Sequence, residues 1–437
     1  MEFASTRDPA LRTSFGNALR QGLAADGGLY VPVTWPEGVG ANLAERCGAR
    51  PRLADVGTGL IGSFAEGDAL APAIAAICAE AFDFPAPLVA VDGDRLGVLE
   101  LFHGPTAAFK DFGARFLAAA LARLRKGANR TLKILVATSG DTGGAVAAAF
   151  HGRPGIEVVV LFPKGQVSPT QQQQLTCWGG NVQSLAVRGS FDDCQRLVKQ
   201  AFRDPECNRL WELSSANSIN LGRLLPQAVY YFASSLELHA RMGRKASYII
   251  PSGNLGNATA CVWARRLGAP IEHIVLAHNA NRTVPDYLAD GVLRVRPSVA
   301  TLASAMDVGD PSNLERLGAL YPDANALRGA VTAASIDDNA IRARIRADHE
   351  RYGVIWCPHT ATAAEAWAHL PPSQRDAAWV LVATAHPAKF REIVEPLVGR
   401  PVPVPATLER LFRLPSHCVE VDASLEALRG AMQDGAA

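Results

Sequence analysis

Neither sign of charge is in excess in this chain: 43 Lys and Arg residues stand against 42 Asp and Glu, a formal charge of +1. That balance excludes a surface built as a whole to attract nucleic acid or an anionic membrane, so any anion must be bound locally. Paired cysteines are missing too. The eight cysteines (Cys47, Cys78, Cys177, Cys194, Cys207, Cys261, Cys357 and Cys418) include no CxxC and no Cys/His cluster. The pattern of a zinc site or a disulfide framework is therefore absent, and a reducing compartment is the simpler reading. No apolar run approaches the roughly 20 residues that span a bilayer. Residues 1–28 lack an apolar core of signal-peptide length and carry Glu2, Asp8 and Asp26, unlike an acidic-poor transit peptide. A cytoplasmic location is expected, with no nucleic acid, membrane or metal partner. No Walker A pattern occurs, and no internal repeat. One GxGxxG match, "GTGLIG" at residues 57–62 with Asp83 some way on, lacks the required context: "PRLADV" before it is no buried strand, and Gly67 and Pro72 interrupt the segment after it.

What is present is the composition of a globular protein of two or three domains: 437 residues, 48% hydrophobic and 19% charged. From about residue 130 short β-branched runs alternate with segments of helical period. "LKILVAT" leads through "SGDTGG" to "AVAAAF", and "IEVVVLF" leads to a helix opened by Ser168 and Pro169. "NVQSLAV" precedes "FDDCQRLVKQAF", and "ASYII" precedes "PSGNLGN" and "ATACVWARRLG". The scheme continues at "IEHIVLAHN", at "VIWCPH" before "TATAAEAWAHL", and at "AAWVLVATAH" before "PAKFREIVEPL". Fully apolar strands between helices predict an α/β fold with mostly parallel sheet covered on both faces, and ligands in the turns that follow the strands. Residues 1–95 do not follow that rhythm and read as an N-terminal unit. Residues 96–437 read as a catalytic region of two halves, about 96–245 and 246–400, with a peripheral C-terminal segment. The stretch 282–322 reads as an irregular insertion.

Three strand-end loops are candidates for chemistry. "TSGDTGG" (138–144) offers hydroxyls, N–H groups and a helix start suited to a carboxylate or phosphate, and reads equally well as an ordinary glycine-rich turn. "SGNLGNAT" (252–259) has two glycines three apart, each before an asparagine, at a helix start. Successive amides there can face one dianion without a basic side chain, which favours phosphate over a bare turn. "ATAHPAKF" (383–390) puts Thr384 and His386 where an apolar strand stops; Thr384 can meet a ring nitrogen or merely cap the helix at Pro387.

The fourth candidate is Lys110, in "LFHGPTAAFKDFGARF" (101–116). A surface charge is the default for a lysine. With Thr106 as N-cap, however, Lys110 falls in the first helical turn, where the helix dipole disfavours an ammonium, and Phe109, Phe112 and Phe116 desolvate it. That is a setting for an imine-forming lysine. Such a lysine, a phosphate nest and a strand-end hydroxyl are three anchors for one cofactor, pyridoxal phosphate.

"HGPTAAFKD", "TSGDTGG", "NSIN", "GNLGN" and "ATAHPAKF", in this order and spacing, together with "STRDPALRTSFGNALRQGLAADGGLYVP" near the start, resemble the threonine synthase family of fold-type II pyridoxal phosphate enzymes. The resemblance spans nearly the whole chain. It departs at Leu255, where an aromatic is common, and at Leu221 and Gly222, where a Trp-Ala pair is expected. It implies a tryptophan synthase beta-like α/β fold and a carbon–oxygen lyase that turns O-phospho-L-homoserine and water into L-threonine and phosphate. It further implies that Lys110 carries the cofactor and shuttles protons, that Gly253, Asn254, Leu255, Gly256 and Asn257 cradle its phosphate, and that Thr384 faces its ring nitrogen. Ser139, Asp141 and Thr142 would lie by the ring and the amino-acid end of the substrate. Ser218, Asn220 and Arg223 would take the substrate phosphate, with His103 and Thr106 lining the pocket. The chain would act as a monomer or homodimer on a small molecule. Rival readings are a serine or threonine dehydratase-like lyase of the same fold, and a non-catalytic relative that only binds the cofactor or a phosphorylated metabolite.

Overall fold

The computed structural model describes residues 1–138 and 140–434. Its strands are β1 (Glu2–Ser5), β2 (Arg12–Ser14), β3 (Tyr30–Pro32), β4 (Leu88–Asp92), β5 (Leu96–Glu100), β6 (Leu132–Ala137), β7 (Ile156–Pro163), β8 (Val182–Arg188), β9 (Glu212–Ser215), β10 (Ala246–Pro251), β11 (Ile271–His278), β12 (Thr332–Ser335), β13 (Ala378–Ala383) and β14 (Val419–Asp422). They form three sheets, in the orders β2-β1-β3, β12-β11-β10-β13-β5-β4 and β14-β8-β7-β6-β9. The first is antiparallel. The five-stranded sheet is wholly parallel, and the six-stranded one is parallel except for edge strand β4. Every residue of β6, β10 and β13 is buried, which is why these strands read as continuous apolar runs rather than alternating ones. The fold class expected from the sequence is the one observed.

The division of the chain differs from expectation. The boundary at 95/96 falls in the turn of the β4–β5 hairpin, and β5 pairs with β13, so the opening of the supposed first half is built into the sheet of the second. Nor is residues 1–95 a unit with a separate core. Phe3, Phe15 and Phe64 share one continuous core with Phe112, Phe116 and Leu117 of the Lys110–Leu124 helix, and Phe84 lies 4.6 Å from Phe112 between ring centres. The C-terminal segment is not peripheral: β14 adds a parallel edge strand beside β8, and the buried Lys133 amine donates to the Met432 carbonyl at 2.8 Å. "VIWCPH" forms no strand; residues 354–357 lead without a sheet partner into the Pro358–Ala368 helix. Strand β12, short and half-buried, takes the sheet edge instead. The "GTGLIG" match lies inside the Leu53–Phe64 helix. A Cβ at Gly57 would come within 2.6 Å of Phe82 and one at Gly59 within 2.6 Å of Leu43, so these glycines allow close packing of a helix, not approach to a dinucleotide.

Candidate active site

The parallel strands of each sheet end on one edge, and β5, β6, β10 and β13 each lead there into one of the candidate loops. Lys110 is the first residue of its helix and is fastened to the end of β13. Leu101 N–H donates to the Ala383 carbonyl at 3.0 Å, Phe109 N–H to Thr384 at 2.8 Å, and His386 N–H to Ala107 at 3.0 Å, with a bridge between Ala108 and Ala385. Lys110 and Thr384 are thereby held on adjoining strands of backbone although 274 residues separate them (384 − 110). Thr106 is not the N-cap. The relation is inverted: the buried Asp111 carboxylate accepts from Thr106 N–H at 2.9 Å and from its hydroxyl at 2.6 Å, and Phe109 occupies the cap position. This closes the turn around Ala107, whose φ of 53° is left-handed, and it takes the Thr106 side chain out of the pocket-lining set.

Three further charged groups surround the Lys110 amine. Asp141 opens the Asp141–Phe150 helix, and its Oδ2 lies 3.7 Å from Lys110 Nζ. Its Oδ1 lies 2.8 Å from the amine of Lys389, a fully buried lysine that also donates to the Thr106 carbonyl at 2.9 Å. The Lys389–Asp141 contact is a close ion pair whose angle is not that of an aligned hydrogen bond. Arg223, 2% exposed, donates one Nη1 bond to the Ala216 carbonyl, leaves Nε unpartnered, and has no carboxylate in ion-pair range among the described residues. Burial pulls the Lys110 amine below its ordinary pKa; Asp141 opposes that, while the charges of Lys389 and Arg223 deepen it. Burial alone would raise the Asp141 carboxyl, but Lys389 and then Lys110 outweigh it and hold it below its ordinary value. The Arg223 guanidinium, lowered by burial to about 10, stays charged at neutral pH.

The loop after β10 is neutral. Ser252 N–H still pairs with Ala277, but the backbone N–H groups of residues 253–258 find no acceptor among the described residues. Leu255 sits in the left-handed region at φ 62° as the N-cap of the Gly256–Arg266 helix. A Cβ on Gly256 would make only ordinary contacts, 3.6 Å to Asn313 Nδ2 and 3.7 Å to Ser218 Cβ, whereas one on Gly253 would strike Met306 Cα at 2.8 Å. Side chains brace the loop from outside. Asn254 Nδ2 donates to Ser218 Oγ at 2.6 Å while its Oδ1 accepts from Ser312 N–H at 2.6 Å. Asn257 Oδ1 accepts from the hydroxyls of Tyr230 and Tyr231, and its Nδ2 has no partner.

Known proteins resemble this chain along its length. Residues 83–385 match the family model of the pyridoxal-phosphate dependent enzymes, residues 2–82 that of the threonine synthase N terminus, and residues 360–432 that of the threonine synthase C-terminal region. The threonine synthase of Haemophilus influenzae is 39% identical over 98% of this chain and 99% of its own. That of Escherichia coli is 38% identical over 99% and 100%. The chain belongs to the threonine synthase family. The crystal structure of the Escherichia coli threonine synthase superposes with a TM-score of 0.90 at 36% identity, covering 99% of this chain and 100% of that one. A threonine synthase from Brucella melitensis bound to pyridoxal phosphate matches with a TM-score of 0.90 at 35% identity, over 100% and 99%. A tomato threonine deaminase at 16% identity and a TM-score of 0.55 shares the fold alone. Like its family, the chain is a pyridoxal-phosphate-dependent lyase, and no observation favours the dehydratase or the binding-only reading.

The cofactor fits the residues present: a run of unpaired N–H groups at a helix start suits a phosphate, and the residue before Lys110 is bonded through its backbone N–H to Thr384. Of the other residues expected at the site, Asn220 is withdrawn. Its Nδ2 donates to Leu19 and Ser215 and its Oδ1 accepts from Gly222 N–H, so it is a buried post between the N-terminal unit and the 217–223 segment. His103 sits on the rim, a third exposed, with Nε2 2.7 Å from Glu100. Thr142 follows Asp141 in its helix, and Ser139 lies outside the described residues. Sequence reasoning missed Lys389 and Arg316. The latter, wholly buried, donates to Tyr30 O, Asn313 Oδ1 and Ile219 O and so ties the N-terminal sheet to both phosphate-side loops, with Asn313 donating to Asn254 O at 2.9 Å. It also missed His359, whose Nε2 accepts from Ala305 N–H and whose pKa burial lowers to about 4. The one available signal was "HPAKF" itself, a lysine inside a buried apolar context. Among the described residues no helix is long and apolar enough to cross a membrane, and no cluster suits a metal ion.

Proposed function

We propose that this chain converts O-phospho-L-homoserine and water to L-threonine and phosphate, with Lys110 as the catalytic residue and cofactor anchor. One observation carries the reading: the chain holds two anion-ready groups, the unpaired N–H run of residues 253–258 and the Arg223 guanidinium, which has no carboxylate in ion-pair range among the described residues and whose charge acts on the Lys110 amine. Two such groups suit two phosphates, one of the cofactor and one of the substrate, where a dehydratase substrate brings none.

Pyridoxal phosphate, when bound, supplies an aldehyde that bonds an amine and a ring that takes up the electron pair left as a proton departs from the adjacent substrate carbon. The N–H groups of Gly253, Asn254, Leu255, Gly256 and Asn257 would hold its phosphate, and the Thr384 hydroxyl would meet its ring nitrogen. Lys110, released, is the base that moves protons at neighbouring substrate carbons. Burial and the nearby cations favour its neutral form, which that work requires. Arg223, with Ser218, receives the phosphate leaving the terminal carbon, and the positive charge stabilises the dianion as it separates. Asp141, with Thr142 and Ser139, belongs to the amino-acid end. His103, a third exposed and paired with Glu100, would line the pocket. Burial of Lys110, Asp141 and Arg223 keeps stray water from the proton transfers.

The test is a product assay. Purified protein given O-phospho-L-homoserine should release phosphate and threonine in equal amounts. Keto acid from serine or threonine with no phosphate release would contradict the proposal.

A further inference from the structure

Asp141 stands between two lysines and treats them unequally. Lys389 lies 2.8 Å from Oδ1 and Lys110 lies 3.7 Å from Oδ2. Lys389 has no freedom to do otherwise, since its side chain is wholly buried and a second N–H is taken by the Thr106 carbonyl at 2.9 Å. That carbonyl belongs to the turn that delivers Lys110, because Thr106 is fixed to Asp111 and Ala107 to His386. The Lys389 amine thus donates to the backbone that carries Lys110 and pairs with the only carboxylate in ion-pair range of the Lys110 amine among the described residues.

We infer that Lys389 is a positioning residue for the reaction: by taking the near oxygen of Asp141 it prevents that carboxylate from closing on the Lys110 amine, and so leaves Lys110 a free base. A buried carboxylate between two amines satisfies the one it touches most closely, and the other is left with the weaker attraction. With a neutral side chain at 389, the whole of the Asp141 charge falls on Lys110 and favours its ammonium form. The direction of the Lys110 shift agrees, since Lys389 acts on it as a like charge. The other charged or titratable groups near Lys110, Lys389 and Asp141 are Arg223, Asp111, His359, His386 and the thiol of Cys357, which burial raises above its ordinary value. His359 and His386 are both lowered to about 4 by burial, so neither changes charge near neutral pH. Within this set Lys389 is the cation in contact with Asp141, and Arg223 is not.

The inference rests on Lys110 being the cofactor-bearing lysine, which borohydride reduction followed by peptide mapping checks independently of it. The test compares holoenzyme with K389M, K389R and D141N, reading the pH midpoint of the bound cofactor's visible absorbance and the pH profile of kcat/KM. In K389M both midpoints should rise by about one pH unit, a tenfold loss of the neutral form on the acid side. K389R, which keeps the charge, should stay close to wild type in midpoint, and D141N should move it downward. After removal of the cofactor, Lys110 of K389M should also label more slowly with an amine reagent at neutral pH than in wild type. Unchanged midpoints in K389M with full cofactor content would overturn the inference. If K389M does not fold, a D141N midpoint that stays put or rises would do the same, as would K389R shifting as far as removal of the charge is expected to.

Discussion

The two glycine-rich loops of the site look alike in sequence and behave oppositely. The loop after β6 spends N–H groups on its own side chain: the Thr138 hydroxyl accepts from Gly140 N–H at 3.0 Å and from Gly143 N–H at 2.9 Å, and Gly140 takes a φ of 148° that only glycine adopts freely. Its product is a charge, Asp141, aimed at two lysines. The loop after β10 keeps its N–H groups unspent and carries no charged side chain, while Asn254 and Asn313 pin it from behind. Glycine content permits both outcomes. What separates them is where the nearest acceptor lies, inside the loop at Thr138 or nowhere before a ligand arrives.

Substitutions can break this contrast, the largest effect first. Thr138→Val orphans two buried N–H groups at about 1–3 kcal/mol each, so denaturant unfolding should show a loss of about 3 kcal/mol. If stability is instead unchanged, the Thr138 hydroxyl is not what holds Asp141. Gly253→Ala forces a Cβ against Met306 backbone at 2.8 Å. Overpacking of about 1–3 kcal/mol should appear as cofactor affinity weakened on the order of tenfold or more, measured by equilibrium titration. Gly256→Ala is the control on the same loop, because its Cβ would make only ordinary van der Waals contacts with Asn313 and Ser218. Stability without cofactor should change by less than about 1 kcal/mol while cofactor binding still weakens, since the methyl occupies the room a phosphate needs. A Gly256 variant that binds cofactor normally would place the phosphate elsewhere.

The contrast also predicts a difference in pH response. The folded-state pKa of Asp141 is depressed, so its contribution to stability is present above the ordinary carboxylate range and is lost as pH falls toward the depressed value. Asp141→Asn should therefore flatten the stability curve below about pH 4. The neutral loop after β10 contributes no such dependence. Thermal unfolding of wild type and variant across the acid range checks this.

Much of the fold and site is legible in the sequence because it is local. Buried parallel strands announce themselves as unbroken apolar runs, and β6, β7, β10, β11 and β13 fall where those runs lie. Lys110 is legible from its turn and its aromatic neighbours, and the 253–257 loop from its glycine spacing. The failures are tertiary. The rule for helix caps assigns Thr106 to the start at 110, because it sees a threonine four residues ahead and not an aspartate folding back on it. Asn220 carries an amide that suits a phosphate, and only the fold reveals that the Leu19 carbonyl, 201 residues away, claims it. Residues 354–357 are as apolar as a strand, yet the Trp356 indole N–H is held by Asp348 of the preceding helix and the segment pairs with no strand. Lys389 escapes sequence reasoning because its partner backbone lies 283 residues earlier in the chain.

The most direct test of the whole account asks which amine bears the cofactor. Holoenzyme reduced with borohydride, digested and mapped by mass spectrometry should carry the pyridoxyl mass on Lys110 and on no other lysine. The same mass on Lys389, the other amine in contact with Asp141, or on any lysine outside the site, would contradict it.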